Sequence, residues 1–123
     1  EEEDLYQGEI KDLILTILSD ALETTEEGSR RRDIIEDIIA SNGYQKTSLE
    51  KAGEVKKLLK DYTGMTGKLR QSFMDIGFEV ADDRKHYKLT YFGDNRYQTV
   101  LGKTPSDVRS GKNNAREIIK MVF

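Results

Sequence analysis

The 123-residue chain has no cysteine, no tryptophan, one proline and one histidine. Without cysteine there is no disulfide framework, no thiol nucleophile, no iron–sulfur cluster and no thiolate zinc site. A lone imidazole, His86, gives no partner for a two-histidine metal site or for paired acid–base work, so neither metal nor cofactor is expected. No apolar run approaches the ~18 residues of a spanning helix and no charged-then-apolar leader is seen, which predicts no membrane partner. The missing cysteines also suit a reducing compartment, and the expected location is the cytoplasm. At 14.1 kDa the chain can bury one real core without a covalent staple. Its first residue, Glu1, predicts a fragment of a longer chain.

What is abundant is charge, unevenly placed. Residues 1–27 hold ten acids and one base (net −9), residues 28–83 ten of each (net 0), and residues 84–123 nine bases and three acids (net +6). A basic tail points toward polyanions, and an acidic head toward a basic protein partner or the rest of a longer chain.

Hydrophobic spacing supplies the elements. Leu5, Ile10, Leu13, Ile14, Ile17, Leu18, Ala21 and Leu22 recur at helical period, as do Ile34, Ile35, Ile38 and Ile39. Thr47 with Glu50 reads as a capping box opening a third helix that buries Leu49, Ala52, Val55, Leu58 and Leu59. A fourth helix turns Leu69, Phe73 and Ile76 inward and ends at Gly77. The period then falls to two. Phe78 and Val80 form one strand, and Asp82-Asp83 a turn. Tyr87, Leu89 and Tyr91 oppose His86, Lys88 and Thr90 on a second strand, Gly93-Asp94-Asn95 turns the chain, and a third strand covers residues 96–101. After a loop at residues 103–107, Ala115, Ile118, Ile119, Val122 and Phe123 stripe a final helix. The expected fold is α+β: a helical half (residues 1–66) packed with a three-stranded antiparallel sheet and a C-terminal helix (residues 67–123). Leu13, Ile17, Ile35, Ile38, Leu58, Phe73, Tyr87, Leu89, Ile118 and Val122 are expected in the core. A winged helix-turn-helix, with the hairpin as wing, is the alternative, and it leaves the last helix as an appendage.

Two phosphate-binding patterns fail on inspection. Gly102-Lys103-Thr104 lacks the glycine a P-loop needs at position 97, which is Tyr97, and Pro105 follows where a helix should start. Gly64-Met65-Thr66-Gly67 joins two helices but carries no cation, and reads as a helix–helix turn. Arg30-Arg31-Arg32 opposes the dipole at the start of the second helix, and is expected to pair with the acidic head.

The helix–strand–strand–strand–helix order of residues 69–123 is the layout of the double-stranded RNA-binding domain. Its residues resemble HicA-type toxins more closely: Gly77-Phe78 closing a helix, His86-Tyr87-Lys88-Leu89-Thr90-Tyr91 on the second strand, the turn Gly93-Asp94-Asn95-Arg96, and Gly111 introducing the last helix. The resemblance implies a metal-independent ribonuclease with His86 as the catalytic group, aided by Arg84, Lys85 or Lys88. The chain departs from it in having Arg84-Lys85 where the family places Gly-Ser, and in lacking a second histidine as general acid.

The cations weigh more than the histidine. Arg84, Lys85, Lys88 and Arg96 flank the strands, while Lys103, Arg109, Lys112, Asn113 and Arg116 gather where the last helix begins. These residues are expected to grip the phosphate backbone of RNA or DNA. The function expected is nucleic-acid binding, with a protein-interaction module and a His86 ribonuclease as alternatives.

Overall fold

Asp4, at the end of the acidic run, turns its carboxylate onto the N–H groups of Gly8 and Ile10, and a helix opens at Glu9. In the computed structural model, which describes residues 1–105, 107 and 109–123, five α-helices and a three-stranded antiparallel sheet follow, an α+β fold. The helices are α1 (Glu9–Ala21), α2 (Arg30–Ser41), α3 (Thr47–Leu59), α4 (Gly67–Ile76) and α5 (Ser110–Val122). The strands are β1 (Phe78–Asp83), β2 (His86–Tyr91) and β3 (Gln98–Gly102), in that spatial order. Two compact units divide the chain, Glu1–Glu50 and Lys51–Phe123. The division falls ahead of the expected break at 66/67 because Val55, Leu59 and Tyr62 all belong to the buried core of the second unit.

In the first unit, α1 is inverted relative to the expectation. Its polar residues Glu9, Asp12 and Thr16 are buried, whereas Ile10, Ile14 and Ile17 are 37%, 51% and 66% exposed. The reason lies at the start of α3. Asp12 accepts hydrogen bonds from the backbone N–H groups of Thr47 (3.1 Å) and Ser48 (2.8 Å). Thr16 Oγ1 bonds the Tyr44 hydroxyl (2.8 Å) and Ser48 Oγ (2.9 Å). The N-terminal turn of α3 is therefore held by a carboxylate 35 residues upstream, in place of the local Thr47–Glu50 box. Placing Ile17 in the core was an error, and Leu49 too lies 46% exposed. Leu13, Ile35 and Ile38 are half-buried. Ser29 caps α2 by accepting from Arg32 N–H. The Arg32 guanidinium pairs with Glu36 (2.9 Å) and donates to the carbonyls of Leu22 and Thr25, not to the acidic head.

The second unit has a conventional apolar centre. Thr66 caps α4 through its hydroxyl on Leu69 N–H, and Gly77, at φ 125°, ends it. A side chain at Gly77 would overlap the Phe92 ring. The sheet runs as a meander in which Val80 faces Leu89 and Leu89 faces Thr99. The β1–β2 turn falls at Arg84-Lys85, with Arg84 at φ 57°, so Asp82 and Asp83 end a strand where a turn was expected. Phe73, Phe78, Leu89, Tyr91, Leu101 and Ile118 are buried, and Phe78 and Phe123 each pack on the Tyr91 ring (4.9 and 5.6 Å between centroids). The ring of Phe123, next after the last residue of α5, thus meets the inner sheet face, and Ala115, Ile118 and Val122 of that helix are core residues, not an appendage. Tyr87 and Leu58 are half-buried. Arg70 Nη1 donates to the Val80 carbonyl (2.7 Å). Of the predicted loop 103–107, Ser106 lies outside the described residues.

Candidate functional site

Helix α5 approaches the end of α3 so closely that Gly111 is buried and a Cβ there would overlap the Leu59 carbonyl. Only glycine permits this backbone-to-backbone contact. Beside it opens a groove of about 660 Å³ lined by Lys56, Lys57, Lys60, Lys112, Ala115, Arg116, Ile119 and Lys120. Six of these eight residues are exposed cations, and no acid lines the groove. None of the six makes an ion pair or side-chain hydrogen bond with a described residue. Lys112, Arg116 and Lys120 recur every fourth residue and therefore share one face of α5. Lys56, Lys57 and Lys60 stand on the α3 side, and Ala115 and Ile119 form an apolar floor. Six like charges in one concavity attract anions more strongly than the same charges spread over a surface.

The other predicted residues are not brought to this groove. Lys112 and Arg116 line it, but Asn113 lines a separate cleft of about 380 Å³ with Gly102, Thr104, Pro105, Ser110 and Asn114. Arg109 precedes α5, where its N–H donates to the Asp107 carboxylate (2.8 Å), so an acid already stands at that helix start. Arg84 and Lys85 form the β1–β2 turn. His86 and Lys88 lie on the face of the sheet opposite Tyr91 and Phe123. There the cross-strand partner of His86 is Asp83, that of Lys88 is Ala81, and Glu79 shares the face. That face carries both signs of charge.

Two predicted cations are committed to ion pairs. Arg96 pairs with Asp94 (2.7 Å) and lies over the Tyr97 ring, and its bond holds the Asp94 carboxyl below the usual range. Lys103 pairs with Asp82 (2.7 Å), which lowers the pKa of Asp82 and raises that of Lys103. Arg70 and Lys103 also lie over the Tyr87 ring, 5.7 and 5.0 Å from its centre.

Sequence reading missed Lys56, Lys57, Lys60 and Lys120. The four-residue beat of 112, 116 and 120 was available as a signal, since it places three cations on one helix face. Among the described residues no group of three or more His, Asp or Glu could hold a metal ion, and no helix is long and apolar enough to cross a membrane. Comparison of the chain with protein-family models, curated proteins and solved structures found no match.

Proposed function

We propose that this chain is a nucleic-acid-binding module that holds the phosphate backbone of RNA or DNA in the groove between α3 and α5. The observation that carries the reading is the set of six cations without partners among the described residues, around a concavity with no acid in its lining. Each phosphate neutralised releases counterions, so binding falls steeply with salt. Contact with all six would cost a factor on the order of 10³ in affinity between ~50 and ~200 mM salt on duplex DNA. The test is fluorescence anisotropy with labelled oligonucleotides at those two concentrations. The triple variant Lys112→Ala, Arg116→Ala, Lys120→Ala, checked by circular dichroism for an intact fold, should abolish binding at the higher salt. Binding unaffected by the triple variant would move the site elsewhere.

A protein-interaction role uses the same groove, and its apolar floor favours an acidic amphipathic helix as ligand. Competition separates the two readings: a poly-glutamate chain should displace oligonucleotide only at large excess.

A further inference from the structure

We infer, resting on the nucleic-acid reading of this groove, that its ligand is one unpaired polynucleotide strand lying lengthwise between the two rows of cations. Four residues of α-helix rise about 6 Å, so Lys112, Arg116 and Lys120 present charges at a step close to that between neighbouring phosphates of one strand. Lys56, Lys57 and Lys60 stand on the opposite wall, so a backbone in the channel meets cations on two sides.

The floor argues the same way. Ala115 is 3% exposed and Ile119 half-buried, and neither side chain has a polar atom to replace the water a phosphate would lose on touching them. An unpaired base or ribose can rest its apolar face on Ile119 while its phosphates turn to the rims. The lining contains no aromatic ring, so this contact reads no base and adds less than the stacking platforms of many single-strand binders. About 660 Å³ is the volume of a small-ligand site, enough for a short stretch of one chain.

The experiment titrates the full chain with short labelled single-stranded RNA, single-stranded DNA and the matching duplexes, at two salt concentrations. Either single strand should bind roughly fivefold more tightly than its duplex, at the weak end of what one stacked base contributes. RNA and DNA arms then show whether ribose adds anything. Ile119→Asn should remove that preference by weakening single-strand binding alone, and Ile119→Thr serves if the first variant unfolds. Each single alanine at 112, 116 or 120 should reduce the salt slope by about 0.7. Duplexes bound as tightly as single strands, or an Ile119 variant that weakens both alike, would overturn the inference and leave the nucleic-acid reading standing. No binding of any oligonucleotide at low salt, or equally potent competition by poly-glutamate, would overturn both.

Discussion

Glu1–Glu50 carries five bases against fourteen acids and Lys51–Phe123 fifteen against nine, so the two units have net charges of −9 and +6. They differ as much inside. Among the described residues the second unit has twelve of the buried hydrophobics and a single buried polar one, Thr90. The first has one buried hydrophobic, Leu15, and four buried polar or charged residues, Glu9, Asp12, Thr16 and Ser48. One unit is held by area removed from water, the other by hydrogen bonds whose net worth is only about 1 kcal/mol each but whose loss leaves buried groups unsatisfied. The second should therefore tolerate conservative surface change and fail at close contacts, while the first should fail at single polar atoms.

The largest effect is expected at Gly111. Gly111→Ala forces α5 off the Leu59 carbonyl and should cost about 3 kcal/mol or more, read as a drop in denaturant midpoint. Gly53→Ala, in the interior of α3 with open space around it, should instead add about 0.5–1 kcal/mol. Equal effects from the two would show that the helix contact at Gly111 does not set the packing.

In the first unit, Asp12→Ala should cost about 2 kcal/mol, because two N–H groups at the start of α3 lose their acceptor. Amide exchange on the full chain should show Thr47 and Ser48 losing protection, with the strands unchanged; uniform loss would erase the contrast between the units.

Alkali sharpens the comparison further. Burial first, then the carboxylates of Asp12, Glu9 and Asp4, push the Tyr6 hydroxyl up from 10.0 to about 12. The folded state thus prefers the protonated phenol. That contribution is full below pH 10 and is lost as pH rises from 10 through about 12. In an absorbance titration the Tyr6 ionisation near 12 should disappear in Tyr6→Phe, which should also flatten the alkaline loss of stability.

The smallest effects should come from Ile17→Gln and His86→Ala. The first changes a side chain that is 66% exposed and should stay within about 0.5 kcal/mol. The second removes an exposed imidazole on the sheet face away from the α3–α5 groove, and should leave oligonucleotide affinity unchanged.

What sequence could tell depended on how far apart the deciding residues lie. The strands were legible because period-two alternation and the Gly93-Asp94 turn are local, and α4 because the break at residues 64–67 and Gly77 bound its apolar stripe. Helix α1 was legible as a helix but not in its orientation. Periodicity gives a stripe, while the side that turns inward is set by Asp12 meeting Thr47 and Ser48. The groove divides likewise: its α5 wall is written at 112, 116 and 120, but pairing it with Lys56, Lys57 and Lys60 requires the contact of Gly111 on Leu59.

The bond from Arg70 to the Val80 carbonyl has a consequence for how the protein keeps in concentrated solution. Strand β1 lies at the margin of the sheet, and Phe92 N–H bonds the Gly77 carbonyl, which sets the odd-numbered residues of β1 to pair with β2. The Val80 carbonyl therefore points outward, at a position where a foreign strand would begin to add. The guanidinium of Arg70 occupies it at 2.7 Å and puts a positive charge in the path of any newcomer. A side chain that contributes little to the fold's centre thus protects the margin of the sheet against runaway strand-on-strand growth into aggregates.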